Sequence, residues 1–548
     1  MMSWNYLVAV VAALLMTSPS WALQDRPNIL WITCEDMSPR LGCYGDELAA
    51  TPNIDRLARE GVRYTHAFAT AGVCAPARHA LITGMYPTST YAMHMRTGQR
   101  SAASANIADP VLREQALRRP LYEALPPPHV KCFSEHLRRS GYYCTNNVKT
   151  DYQFQPPVTA WDDSSRRAHP KNRPQDQPFF AVFNFTITHE SGLFKEERSP
   201  QVTDPVKVQV PPFFPDIEIV RHDIARQYAH IAELDREVGE LLDELEEQGL
   251  LENTIIFFFS DHGDGLPRHK RWVLDSGTRV PLIIRYPGGD GAGSVDARLI
   301  SFVDMGVTVL SLAGVPVPDG LHGVPFLGAQ QGEPREHVFM HRDRMDDINF
   351  ETIRSARDRR YRYVRNYRPD EPYIKPLPYR DQIPMMQAVN RMIGAGDLGP
   401  DQWQFTAQSK PAEELYDTEA DPHEIRNIAD DPQHAERLDR FRMAMDQWLA
   451  LTGDPLDTPE EELIRTRIWP PDGVQPITLG PRCDEVEGML HVSCDTEGAS
   501  IGYRFDSDPP QSWRVYVDPV PLRDEPVHII AHRIGYKPSD RLTYVRQQ

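Results

Sequence analysis

Beyond its first 22 residues the sequence has no apolar run long enough to span a bilayer. It also lacks a basic excess: 59 Lys and Arg stand against 78 Asp and Glu, a net charge of −19. A general polyanion binder needs a basic footprint, so nucleic acid is excluded as a partner. An anionic substrate would need cations concentrated locally around its site. Cysteine is scarce and odd in number, with Cys34, Cys43, Cys74, Cys132, Cys144, Cys483 and Cys494. Seven thiols cannot all pair, so a free or reactive one is expected; Cys132/Cys144 and Cys483/Cys494 are local pairs able to bridge. The stretch MMSWNYLVAVVAALLMTSPSWA has no Lys or Arg, but Leu7 to Met16 is a short apolar run and Ser20-Trp21-Ala22 a small-x-small cleavage site. Residues 1–22 therefore read as a signal peptide, and the mature chain as secreted or periplasmic.

What is present suits large cores: 548 residues, 40% hydrophobic and 9% aromatic, enough for two or three domains. Asn28 to Thr33 (NILWIT), Pro178 to Thr186 (PFFAVFNFT), Thr254 to Ser260 (TIIFFFS) and Arg279 to Tyr286 (RVPLIIRY) read as buried strands. Thr51 as N-cap, Pro52 at the first turn and Gly61 bound one helix, and apolar steps of three or four from Ile224 to Leu245, closed by Gly249, mark a long amphipathic one. Strands alternating with helices predict an α/β domain over 23–335, its mainly parallel sheet sandwiched by helices. A smaller α+β subdomain is expected over 336–467, where Arg354 to Arg368 (RSARDRRYRYVRNYR) reads as a half-exposed strand pair with a solvated face. The proline-rich 468–476 reads as a linker. Period-two alternation through Leu490/Val492 and Ile501/Tyr503/Phe505 predicts an appended all-β sandwich over 477–548.

Two acidic pairs, Glu35-Asp36 and Asp261-His262, each stand just past the carboxyl end of a predicted strand. That edge of an open α/β sheet is where ligands bind. Either pair alone reads as loop carboxylates or helix caps. Converging, they would form an oxygen-rich cage for a hard divalent cation with an imidazole as extra ligand. The stretch GVCAPARHALITG places Cys74 where Ala75-Pro76 can open a helix, facing free N–H groups and the positive helix end, with Arg78 one turn on. Taken alone, C-x-P-x-R is a buried cysteine beside a surface arginine.

Several blocks in order change that. CAPAR with HALITGMYP resembles the signature of type I sulfatases, members of the alkaline-phosphatase-like superfamily. RPNILWITCED, TPNIDRLAREGVRYTHAFAT, FFFSDHGDG and TRVPLIIRYPG resemble the family's first metal strand, first long helix, second metal strand and following strand. ELYDTEADPHEIRNIADDP is similar to the C-terminal signature of the N-sulfoglucosamine sulfohydrolase branch. The final module, with GASIGYRFDSDPP and IIAHRIGYKPSD, resembles the small β-sandwich of chitobiase-type enzymes.

The resemblance implies an exported sulfatase acting on a sulfated carbohydrate. Cys74 would be oxidised by a formylglycine-generating enzyme to formylglycine, whose hydrate is the nucleophile and a metal contact. Calcium (Ca2+) would be held by Glu35, Asp36, Asp261 and His262; Arg78, Lys149, His189 and Lys270 would face the sulfate, with His189 the acid for the departing sugar. Two departures stand out: Glu35-Asp36 replaces the usual aspartate pair, and Lys149-Thr150-Asp151 has a carboxylate where the family commonly has histidine. Asp151 could orient Lys149 or hold a sugar hydroxyl, and His94 and Arg96 in YAMHMRT could line the substrate pocket. The rivals are a phosphodiesterase or phosphonate hydrolase on the same fold, and an inactive glycan-binding relative.

Overall fold

Eight strands form the central sheet: β1 (Asn28–Cys34), β2 (Val62–Phe68), β3 (Tyr143–Asn147), β4 (Asp163–Ser164), β5 (Phe179–Phe185), β6 (Thr254–Ser260), β7 (Arg279–Arg285) and β8 (Ser294–Ser301). This computed structural model describes residues 26–546 apart from 102, 103, 106 and 195–202. The expected signal peptide lies outside the described residues. The strand order is β4-β3-β5-β1-β6-β7-β2-β8, and only β7 runs antiparallel to its neighbours. β1 and β6 are buried along their whole length, as strands covered on both faces must be.

Alternate residues of these strands feed two cores. Ile29 and Trp31 of β1 and Phe257 and Phe259 of β6 pack with Ala77, Ala80 and Leu81 of the helix Cys74–Thr83 and with Val303 and Val309 of the helix Val303–Leu312. Leu30, Ile32, Ile256 and Phe258 face the other way, onto Ile54 and Leu57 of the helix Pro52–Glu60 and Ile231, Leu234 and Val238 of the helix Glu218–Glu247. The predicted helix–sheet–helix sandwich is thus observed. Thr51 precedes its helix without capping it; Asp235 does so from the long helix, accepting from the N–H groups of Asn53 (3.0 Å) and Ile54 (2.8 Å).

A second, antiparallel sheet contains Val338–Arg342, Ile353–Arg357, Tyr361–Asn366 and Glu413–Asp417. Here the predicted half-exposed pair is corrected, for both strands are largely buried and so are Arg354, Arg357 and Arg362, while Arg359 and Arg360 in the turn between them are exposed. Arg354 is fully buried between Asp343 (3.0 Å) and Asp454 (2.6 Å), and Arg362 between Glu424 (2.7 Å) and Asp275 (2.5 Å). Buried arginine is tolerated because carboxylates from other segments neutralise it, which local alternation does not reveal.

The C-terminal residues form a three-stranded and a four-stranded antiparallel sheet around one small core, with Leu490, Val492 and Val520 from one meeting Phe505, Val527 and Ile529 from the other. Within 468–476, Trp469 is buried and its indole N–H donates to Gly535 O (3.1 Å), so this stretch is packed rather than a free spacer. All seven cysteines are free. Cys483 lies opposite Val492 rather than Cys494, and the Cys494 thiol donates to Leu479 O (3.2 Å).

Candidate active site

Four adjacent parallel strands, β3-β5-β1-β6, end at one edge. Cys34 at the end of β1 is in register with Ser260 of β6 and Phe185 of β5. Glu35-Asp36 and Asp261-His262, far apart in sequence, therefore emerge side by side. The turn after β5 adds His189 and Glu190, and the one after β3 adds Lys149. From across the sheet edge the helix Cys74–Thr83 points its first turn at them.

Cys74 is fully buried, its Sγ 3.3 Å from His262 Nε2. Burial opposes its ionisation, but Lys149, Lys270 and His262 outweigh that and bring the thiol down to about 6. Ligand atoms of Asp36, Cys74, Asp261 and His262 lie within 4.8 Å of one another, and so do those of Glu35, Asp36, Cys74 and His189. The two sets share Asp36 and Cys74. The longer Glu35 side chain accounts for the split: it reaches Lys149 Nζ (2.5 Å) and His189 Nε2 (3.7 Å), with Arg78 Nη2 at 4.0 Å. Three carboxylates and one imidazole, all buried, make a donor set that fits a hard divalent cation. Asp261 is drawn down to about 2 against its burial by His262 and Arg78, while His262 is pushed up to about 10 by Asp261 and Asp36 despite desolvation.

The cations are held in place by further pairs. Arg78 Nε donates to Asp261 (3.0 Å) and Nη1 to Asn184 Oδ1 (2.7 Å), while its buried Nη2 has no hydrogen-bond partner among the described residues. Lys270 Nζ lies 2.7 and 2.9 Å from the Asp36 oxygens and 3.1 Å from Glu190. Arg271 makes a two-pronged pair with Glu190 (2.7 and 2.9 Å). His189 Nδ1 lies 2.9 Å from Ser191 Oγ and 3.2 Å from Ser191 N, and its Nε2 faces Glu35 (3.7 Å). Burial disfavours the charged ring and so does Lys270, but Asp36, Cys74 and Glu35 raise its pKa.

Cys74, Arg78, Lys149, His189, Lys270, Glu35, Asp36, Asp261 and His262 thus meet at one place. Arg96 and Asp151 pair with each other at its side (3.3 Å). His94 does not join them: its buried Nδ1 accepts from Arg344 N–H (3.2 Å), and it lines a separate cavity of about 650 Å3 with Arg119, Thr352 and Glu460. Asn184, Glu190 and Arg271 were missed by sequence reasoning, although the last two adjoin His189 and Lys270.

Comparison with known proteins gives the family. A family model described as Sulfatase matches residues 27–315, and one described as N-sulphoglucosamine sulphohydrolase, C-terminal, matches residues 267–373. An ulvan-active sulfatase of Formosa agariphila is 43% identical over 94% of this chain and 91% of its own. The human N-sulphoglucosamine sulphohydrolase is 27% identical over 85% of this chain and 96% of its own. A solved 2-O GAG sulfatase shares the fold with a TM-score of 0.56 at 20% identity, covering 78% of this chain and 93% of its own. No helix among the described residues is long and apolar enough to cross a membrane. The chain is a member of the sulfatase family, built on the alkaline-phosphatase-like fold.

Proposed function

We propose that this sulfatase is exported by its N-terminal signal and removes sulfate from a sulfated polysaccharide, with Cys74 oxidised to formylglycine by a formylglycine-generating enzyme and calcium as the metal. The observation that carries the reading is Cys74 at a helix N-terminus, ringed by Arg78, Lys149, His189 and Lys270 and backed by buried carboxylates. Glu35, Asp36, Asp261 and His262 would hold the calcium, which supplies positive charge for the sulfate oxygens. Formylglycine, as its hydrate, supplies a hydroxyl nucleophile at the position of the thiol.

This chain's own groups do the rest. Arg78 Nη2, which makes no hydrogen bond among the described residues, and the Lys149 and Lys270 ammoniums bind sulfate and oppose the charge that grows on it. His189, as the imidazolium that Asp36, Cys74 and Glu35 favour, gives its Nε2 proton to the departing sugar oxygen and is left neutral with its Nδ1–H toward Ser191 Oγ. Glu190 and Arg271 keep Lys270 in place. The substrate class follows the 43% identical relative, whose name is ulvan-active.

Rates on an aryl sulfate and an aryl phosphate diester, measured before and after chelation, test the reading. Sulfate turnover should dominate, fall to background on chelation and return with calcium better than with zinc, because the donor set is rich in carboxylate. Faster phosphate turnover would favour the phosphodiesterase alternative, and absence of both activities the glycan-binding one.

A further inference from the structure

Beside the nucleophile lies a cavity of about 460 Å3, walled by Arg96, Gly98, Gln99 and residues 148–154 together with Glu123. Lys149 belongs both to this wall and to the sulfate-facing cluster, so the cavity opens next to the reacting group. Across it Arg96 and Asp151 face each other, Nε to Oδ1 at 3.4 Å and Nη2 to Oδ2 at 3.3 Å. Both contacts are longer than a strong charge-assisted bond, so neither group is saturated by the other.

The backbone here is unusual. Arg96 (φ 50°), Asp151 (φ 54°) and Gln153 (φ 67°) all adopt left-handed conformations without being glycine. Each is disfavoured by about 1–2 kcal/mol, so the surroundings must enforce it. Gln153 supplies the restraint: its amide donates to Ala92 O (3.1 Å) and His94 O, and its carbonyl accepts from Thr97 N–H (3.1 Å). It staples the loop carrying Arg96 to the loop carrying Asp151. Strain enforced in this way is characteristic of built sites.

The charges of the wall are matched. Arg96 faces Asp151, Lys149 faces Glu35, Glu123 is acidic, and Asp346 adds a further negative charge near Arg96. Among the described residues that line it, no cation is left without an acidic partner to attract a second anionic group. Asp151 and Glu123 as acceptors, and Arg96, Gln99 and Thr150 as donors, suit sugar hydroxyls. We infer that this cavity receives the sugar ring bearing the scissile sulfate and selects an otherwise uncharged ring, whose neighbouring hydroxyl is read by Asp151 and Arg96. A ring with a carboxylate or a second sulfate is rejected. This rests on the sulfatase reading above.

The test compares kcat/KM of the mature enzyme on the positional monosulfates of methyl glucoside and methyl galactoside, the matching disulfates and the matching monosulfated methyl glucuronides. An aryl sulfate with no sugar serves alongside. The best neutral monosulfate should exceed its disulfate and glucuronide counterparts by at least about tenfold. Asp151→Asn should raise the ratio of doubly charged to neutral turnover by about tenfold, with the loss on the neutral probe falling mainly in KM. Equal or better turnover of doubly charged rings, or an Asp151→Asn ratio that does not move, overturns the inference while aryl sulfate hydrolysis still upholds the sulfatase reading. Failure of the wild-type enzyme on every sulfate, aryl included, overturns both.

Discussion

In its charged form His189 holds its Nδ1–H toward Ser191 Oγ (2.9 Å), so the Nε2 proton is the one it can give. A group placed so should matter in proportion to how badly the leaving oxygen needs a proton. A sugar alkoxide needs one and an activated phenolate hardly does. His189→Ala is therefore expected to lower kcat on a saccharide sulfate by about 10²–10⁴-fold, and far less on an aryl sulfate. Equal losses on both would leave His189 as a sulfate binder only. Its neighbours show where sequence reading ends at this scale. Cys74, Arg78 and the two metal pairs stand in recognisable words, whereas Asn184 gains its role only because β5 lies beside β1, where it accepts from Thr33 Oγ1 (2.8 Å) and Arg78. Glu190 likewise looks like any loop carboxylate until Arg271 and Lys270 are brought to it from another turn.

Among elements, the opening glycine of GVCAPAR has a steric reason. A Cβ at Gly72 would lie 2.3 Å from Trp272 O, in the segment that also carries Lys270. The two turns touch backbone to backbone, and Arg271 N–H donates to Gly72 O (2.6 Å). Gly72→Ala should destabilise the protein by about 1–3 kcal/mol and depress activity by shifting Cys74 against Lys270. Gly394→Ala, inside a helix with open space around it, is the control and should be neutral or slightly stabilising. Matched thermal melts decide it: equal melting temperatures for the two variants would show that the contact yields freely. Elements were legible where pattern is local. The apolar strands, the long helix with its glycine stop and the alternating C-terminal strands all have their own periodicity. The Arg354–Arg368 pair did not read correctly because its neutralising carboxylates come from other segments, and the Cys483/Cys494 bridge did not form because strand register sets Cys483 opposite Val492.

The whole molecule joins its parts through polar contacts that no single segment announces. Arg138 Nη2 donates to Trp513 O (2.5 Å) and Trp469 to Gly535 O, tying the C-terminal sheets to the catalytic body. It also buries several histidines in the neutral form. Burial holds His66, His79, His269 and His322 down to about 4, with nearby arginines adding to the effect at all but His79. The unfolded chain binds protons at these groups below about 6.5 while the folded one does not, so stability falls as pH drops from 6.5 towards 4. For the fully buried His79 alone this is about 3 kcal/mol. The raised His262 acts above that window and the lowered Asp261 below it. The urea midpoint should therefore decline steadily between pH 6.5 and 4.5; a flat profile would show that these rings are solvated.

All of the proposed chemistry turns on one side chain. The direct measurement is peptide mass spectrometry across Val73–Arg78 of active enzyme, combined with assay of Cys74→Ala. An aldehyde in place of the Cys74 thiol, in proportion to specific activity, and a folded but inactive Cys74→Ala are expected. Full activity in enzyme whose Cys74 is an unmodified thiol would contradict it.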